Sequence, residues 1–153
     1  MNEKELFVIF DKWCKKLRII PNWDVKLEII DDKNWSKTGD FKIDCDDKKA
    51  VFMINKNHIN DENIEEIIVH ELFHLKMYPL DQVTEYLIVN NFSKGSKEYD
   101  FAYTEFFNAL EQTVEELAKC YLLEFGDNKE LSFSRCKRQA SFEDLYSKLK
   151  NIE

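Results

Sequence analysis

Apolar residues recur at helical spacing near the start of the sequence and alternate with polar residues in the segments that follow. A helix is predicted from Glu3 to about Arg18, with Asn2 as its N-cap and Glu5 at the capping-box position. Three segments with strand character come next: "WDVKLEII", "GDFKIDC" and the almost wholly apolar "KAVFMIN". The charged residues between the second and third segments predict a hairpin loop, so we expect a small three-stranded antiparallel meander.

Helical spacing returns after residue 60. A helix is predicted from Asp61, as its N-cap, to Pro79, where proline is expected to break the pattern. A shorter helix from Asp81 to about Phe92 and a long one from Glu98 to Glu124 should follow, with Gly126 as the stop of the latter. The segment "DNKELSFSRCKRQA" is predicted to be a loop, and "SFEDLYSKLK" a last helix capped by its first serine.

The amino-acid composition indicates which class of protein these elements form. The sequence has only 3 Gly and 2 Pro, which favours long helices over a turn-rich β fold, so residues 1–153 are predicted to be one mostly helical α+β domain. The net charge of −8 disfavours binding to nucleic acid or to an anionic membrane. No apolar run approaches the roughly 20 residues of a membrane helix, and the N-terminus is not typical of a signal peptide. A cytoplasmic location is therefore expected.

The stretch "IIVHELFHLKM" places two of the three histidines four residues apart around a glutamate. On a helix, His70 and His74 project from one face, so both rings can reach a single ion. Glu71 lies about 100° further round and can stand beside that ion without ligating it. This is the HExxH arrangement, in which zinc lowers the pKa of its water towards 7 and the glutamate takes the proton.

Coincidence within a buried helix is the alternative explanation of this motif. HExxH by itself is only a hypothesis. The apolar residues Ile67, Ile68 and Leu75 surround the polar ones, however, and a glutamate and two histidines on the core side of a helix are costly unless they are paired or bind a metal. The pattern therefore favours a metal site.

A catalytic zinc usually has three protein ligands and one open position. In "ALEQTVEELAKCYLLEF", Glu111 and Glu115 share one edge of the apolar stripe and lie one helical turn apart. Both are candidates for the third ligand, although two solvated boundary glutamates would give the same pattern. His58 lies in the polar segment "NKNHIND" and is predicted to be a loop histidine rather than a ligand.

HExxH on one helix and E-x-x-x-[DE] on a later helix resemble the gluzincin metallopeptidases, and the layout is similar to the compact minor zincins of bacteria, phages and mobile elements, near the ImmA/IrrE-type peptidases. The resemblance implies one Zn²⁺ per chain, with Glu111 as the third ligand and Glu115 supporting a ligand histidine. Because the gap from His74 to Glu111 is longer than in the large gluzincins and Glu115 replaces the more familiar aspartate, Glu115 remains the alternative third ligand.

In this type of fold, the strand before the active-site helix commonly lines the substrate cleft. The matching segment is "VFMIN": Val51, Phe52, Met53, Ile54 and Asn55. An extended protein or peptide substrate is expected to add to the edge of this strand by backbone hydrogen bonds. Zinc would polarise the scissile carbonyl, while Glu71 delivers the water and then protonates the leaving amine. Tyr78 and Tyr103 are candidates for stabilising the oxyanion.

The leading functional prediction is an intracellular zinc metallopeptidase that cuts a specific protein. The alternative is a catalytically inactive, zinc-stabilised protein-binding module of the same fold, and a third hypothesis is a helical interaction protein without metal. Glu71 distinguishes the first two, because a purely structural zinc site needs no general base. The sequence has no glycine-rich phosphate loop and its basic residues are dispersed, so a nucleic-acid or nucleotide partner is not expected.

Overall fold

The structure is a computed structural model that describes residues 2–59, 63–137 and 139–149. The elements, in chain order, are α1 (Glu3–Lys16), β1 (Asp24–Ile30), β2 (Gly39–Asp44), β3 (Lys49–Asn55), α2 (Ile64–Asn91), α3 (Lys97–Phe125), α4 (Ser134–Lys137) and α5 (Phe142–Leu149). The fold is therefore mixed α+β, as predicted. Among the described residues, no helix combines the length and the apolar content needed to cross a membrane.

The first helix begins with the predicted capping box. The Asn2 side chain accepts a hydrogen bond from the backbone N–H of Glu5 at 2.9 Å, and the Glu5 carboxylate accepts one from the N–H of Asn2 at 3.1 Å. Together these bonds satisfy two N–H groups that a helix start otherwise leaves unpaired. The helix then buries Phe10, Trp13 and Cys14 in the core shared with the sheet and α2.

The three strands form a mixed sheet in the order β1-β3-β2, which corrects the prediction of an antiparallel meander. The hairpin of β2 and β3 is antiparallel, with Asp40 opposite Met53. The first strand instead lies on the other side of β3 and runs parallel to it, with Asp24 opposite Lys49. The almost wholly apolar β3 thereby gains a neighbour on each edge, and Phe52 and Ile54 are fully buried. Burial of the most apolar strand explains why it lies in the middle.

The central position of β3 also corrects the predicted substrate edge. Backbone groups of Val51, Phe52, Met53, Ile54 and Asn55 are paired with β1 on one side and with β2 on the other, so no peptide can add there. The Asn55 side chain is buried and donates hydrogen bonds to the carbonyl oxygens of Asp32 and Trp35, at 2.7 and 2.9 Å. Its function is to fasten the loop between β1 and β2.

A single helix, α2, replaces the two helices predicted on either side of Pro79. A proline inside a helix removes one main-chain hydrogen bond and costs about 3 kcal/mol. Packing beyond the proline offsets this cost: Ile88 is buried, and Glu85 accepts a hydrogen bond from the Tyr103 hydroxyl of α3 at 3.2 Å. The prediction was wrong because it used only local sequence and could not include this contact with α3.

The first turn of α2 is fixed to the segment that follows α3. Asn63 caps the helix through its side-chain oxygen, which accepts from the Glu65 N–H at 3.1 Å, whereas the predicted cap, Asp61, lies outside the described residues. The Asn63 amide also donates to the carbonyl oxygens of Asn128 and Glu130, at 3.0 and 2.7 Å. Asn63 therefore caps α2 and also binds the segment that follows α3.

Two buried carboxylates extend this attachment. Glu66 accepts from the N–H of Ser132 at 2.8 Å. Glu65 is surrounded by four donors, namely the side chains of Lys12 and Trp13 and the backbone N–H groups of Asp127 and Asn128. Burial alone raises the pKa of Glu65, but these hydrogen bonds outweigh burial and lower it. We call Asn63, Glu65 and Glu66 with these partners the α2 anchor.

The remaining helices follow the predicted order. The long helix, α3, has 29 residues, begins after Ser96 and ends at Gly126, as predicted to within a residue or two at each end. A four-residue helix, α4, interrupts a stretch that was predicted to be loop. The last helix starts after Ser141, whose hydroxyl accepts from the Asp144 N–H at 3.1 Å and so acts as the predicted cap.

Candidate metal centre

Packing of α2 against α3 brings the two candidate motifs together. The contact is built from fully buried apolar residues on both helices: Ile68, Leu72 and Leu75 on α2, and Val114, Ala118 and Leu122 on α3. His70 and His74 lie at the edge of this contact, where they face Glu111 and Glu115. The apolar stripes therefore set the positions of the polar side chains.

Three side chains converge between the helices. His70 Nε2 lies 3.1 Å from His74 Nε2 and 3.6 Å from Glu111 Oε2, and His74 Nε2 lies 3.3 Å from Glu111 Oε1. A tetrahedral zinc ion with bonds of 2.0–2.1 Å holds its ligand atoms about 3.3 Å apart. Donor type and spacing therefore both fit a zinc-sized cation held by His70, His74 and Glu111. The three side chains are 21, 23 and 36% exposed, so the centre has an open side.

Glu115 lies behind His70 rather than at the convergence point. Its Oε2 is 3.0 Å from His70 Nδ1, and its Oε1 is 2.9 Å from Lys119 Nζ. With a carboxylate as acceptor, His70 Nδ1 donates the hydrogen bond, which leaves the lone pair on Nε2 for a metal. The geometry thus separates the two candidate ligands that the sequence left open, since it places Glu111 at the convergence point and Glu115 behind His70.

The electrostatics of the cluster follow from these contacts. Burial lowers the pKa of His70, but its contacts with the carboxylates of Glu111 and Glu115 outweigh burial and raise that pKa to about 9. The contact with His70 is the main reason why the pKa of Glu111 is well below its usual range. The same histidine, followed by Lys119, lowers the pKa of Glu115 to about 2. Both glutamates are therefore ionised at neutral pH and suited to a cation.

Glu71 lies on the sheet side of α2, against Gly39 of β2. A Cβ atom at residue 39 would lie 3.0 Å from Glu71 Cγ and 3.1 Å from its Oε1. Gly39 is buried and does not have a positive φ, so the close approach, rather than the backbone conformation, requires a glycine here. Burial raises the pKa of Glu71, which favours a group that can both accept and return a proton.

The free backbone edge beside Glu71 belongs to β2. Asn55 N–H donates to the Thr38 carbonyl at 2.9 Å, so residue 38 is a hydrogen-bonded position opposite β3. Hydrogen-bonded and non-hydrogen-bonded positions alternate along an antiparallel pair. The main-chain groups of Gly39, Phe41 and Ile43 therefore point away from β3. The Asp40 carboxylate accepts from the Phe41 N–H at 2.8 Å, consistent with this direction. An outer strand whose main-chain groups pair with no other strand among the described residues therefore borders the candidate base.

Two of the other candidate residues make hydrogen bonds away from the convergence point. Tyr103 donates to Glu85, and His58 Nε2 contacts the carbonyl of Trp35 at 3.0 Å. Tyr78 follows His74 by one helical turn, and burial raises its pKa. Sequence reasoning missed Gly39 and Lys119. The only available signal for the first was a glycine at the start of an otherwise alternating strand, "GDFKIDC".

Comparisons with protein-family models, curated proteins and solved structures give no match to this chain. The geometry of the site is therefore the basis for assigning a function.

Proposed function

We propose that this chain is a zinc-dependent metallopeptidase with a zincin-like site, in which His70, His74 and Glu111 hold the ion and Glu71 is the general base. The main support is the convergence of two imidazole nitrogens and one carboxylate at the spacing of zinc ligands, with the partly buried carboxylate of Glu71 on the neighbouring position of the same helix. The substrate class is a protein or peptide, and the expected location is cytoplasmic.

Each residue of the site has a distinct task in this proposal. When bound, zinc supplies a Lewis acid for the scissile carbonyl and makes the attacking water more acidic. Glu71, with its raised pKa, accepts the proton of that water and returns it to the leaving amine. Glu115 holds the His70 ring in the ligand orientation.

The free edge of β2 replaces β3 as the proposed substrate strand. An extended peptide can pair with the outward main-chain groups of Gly39 and Ile43, and it would displace Asp40 from the Phe41 N–H. Because Gly39 touches Glu71, a peptide on this edge runs directly past the general base. Side chains of a substrate would then alternate between the centre and the solvent.

Zinc content and peptide hydrolysis, measured on the same preparations, test the proposal. We expect about one zinc per chain in wild type, its loss in His70→Ala and His74→Ala, and its retention in Glu71→Gln and in the surface control Glu116→Gln. Glu71→Gln should abolish cleavage of a peptide library that wild type and Glu116→Gln cut. A wild-type chain that takes up no zinc would overturn the metal centre. A zinc-loaded wild type no more active than Glu71→Gln would leave an inactive zinc-stabilised binding module.

A further inference from the structure

Both carboxylate oxygens of Glu115 have partners. Oε2 accepts from His70 Nδ1 at 3.0 Å, and Oε1 lies 2.9 Å from the ammonium group of Lys119. Glu115 precedes Lys119 by four residues, the order in which a glutamate and a lysine pair best on a helix. The carboxylate is thus held from two sides, between a ligand histidine and a cation on its own helix.

Glu111 has a different environment, although it is one turn away on the same face. Among the described residues, the ion-pair partners of its two oxygens are the Nε2 atoms of His70 and His74, at 3.6 and 3.3 Å. Among the ion pairs of the described residues, Lys119 is the single lysine or arginine that contacts either glutamate. The cation therefore distinguishes two glutamates that the helix otherwise presents in the same way.

We propose, on the basis of the zinc site above, that Lys119 is a positioning residue that keeps Glu115 on His70 and away from the ion, leaving Glu111 as the carboxylate ligand. Without Lys119, the Oε1 atom of Glu115 keeps no charged partner among the described residues, and the carboxylate can rotate away from His70 Nδ1. The His70 ring then loses the hydrogen bond that orients its Nε2 atom towards the ion.

The expected effect is a loss of zinc affinity. Removing a group that hydrogen-bonds directly to a ligand typically weakens metal binding 10–100-fold, and Lys119 acts one contact further away, so we expect a loss of about 3- to 10-fold. If Lys119 and Glu115 were only an ordinary surface pair on a helix, removing the lysine would not weaken zinc binding, since loss of a nearby positive charge can only favour a cation. Zinc affinity therefore separates the two interpretations.

The test compares apparent zinc dissociation constants, obtained by competition with a chromophoric chelator, for wild type, Lys119→Met, Lys119→Arg and Lys97→Met. Lys97 is an exposed lysine at the other end of α3, so its variant has the same change of charge far from the site. We expect Lys119→Met to bind zinc more weakly, Lys119→Arg to restore the affinity and Lys97→Met to match wild type. Denaturant unfolding of the metal-free variants checks that they are folded.

A second measurement reports the hydrogen bond itself. In zinc-loaded, ¹⁵N-labelled protein, the Nδ1 proton of His70 should give a resonance that broadens or shifts in Lys119→Met and returns in Lys119→Arg. A merely structural effect of the substitution would not be confined to this proton. Zinc affinity of Lys119→Met equal to wild type, or an arginine variant as weak as the methionine variant, would overturn the inference while leaving the zinc site intact. Failure of wild type to bind zinc would instead overturn the proposed function.

Discussion

Glu115 Oε2 lies 3.0 Å from His70 Nδ1, on the edge of the imidazole ring opposite the nitrogen that faces His74. Glu111, one turn earlier on α3, approaches the Nε2 edge of the same ring. Two glutamates of one helix therefore contact one histidine from opposite edges. From this arrangement we expect the two glutamates to contribute unequally to zinc binding, and substitution of each can measure its contribution.

Glu111→Gln and Glu115→Gln should both weaken zinc binding, and the first should weaken it more. Glu111→Gln replaces a charged ligand by a neutral amide, whereas Glu115→Gln removes only the support of His70 and should cost about 10- to 100-fold in affinity. Competition titration with a chelator measures both, with Glu116→Gln as the control for a lost surface charge. The reverse order of losses would show that Glu115 is the ligand.

Gly39→Ala should impair hydrolysis without releasing zinc. The new Cβ atom would lie 3.0 Å from Glu71 Cγ, so the Glu71 side chain has to shift by a few tenths of an ångström. A misplacement of about 1 Å near a reacting group can cost roughly 100-fold in rate, so we expect a smaller loss here, of about 3- to 10-fold. Rates and zinc content of Gly39→Ala, Glu71→Gln and the double variant test this. If Gly39 acts through Glu71, the double variant is no slower than Glu71→Gln alone. Loss of zinc from Gly39→Ala would contradict the prediction.

Metal-free protein should lose stability as the pH rises from about 6.5 to about 9. The pKa of His70 is raised in the folded state, so its stabilising effect is complete below the unfolded value near 6.5 and disappears as the pH passes through about 9. Glu115 acts in the opposite sense, since its lowered pKa stabilises above its ordinary value and is lost as the pH falls towards about 2. Urea unfolding at a series of pH values measures the free energy of unfolding. Between about pH 6.5 and pH 9, His70→Gln should lose less of this free energy than wild type. An equal loss in that variant would assign the effect to other groups.

Glu65→Gln should destabilise the fold while sparing zinc binding. The carboxylate is 4% exposed and accepts from four donors of the α2 anchor, and a neutral amide presents an NH₂ group to some of them. Breaking such a buried ionic cluster from one side costs about 3 kcal/mol or more in the free energy of unfolding. Denaturant unfolding checks this, with Glu116→Gln as the exposed control. A variant as stable as that control would mean that water replaces the anchor without cost.

Features that depend on nearby residues were predictable from the sequence. The capping box at Asn2, the Ser141 cap and the shared face of His70 and His74 all follow from spacings of three or four residues. The sharing of one face by Glu111 and Glu115 follows in the same way. For each of these features the helix geometry alone determines which groups are neighbours.

Features that depend on tertiary contacts were not predictable. The central position of β3 follows from its being the most deeply buried strand, and alternation within a strand does not show which strand that is. Continuity of α2 through Pro79 depends on α3, and the reason for a glycine at residue 39 lies in a helix some thirty residues later. The difference between Glu111 and Glu115 likewise appears only as distances to His70.

The α2 anchor determines how much of the chain is needed for folding. Its donors at Asp127, Asn128 and Ser132 come after the last proposed ligand, yet they satisfy carboxylates in the first turn of the HExxH helix. A chain shortened just after Phe125 would keep every proposed zinc ligand and leave Glu65 and Glu66 buried without these partners. We therefore expect the smallest fragment able to fold, and to bind the proposed ion, to extend to at least Ser132.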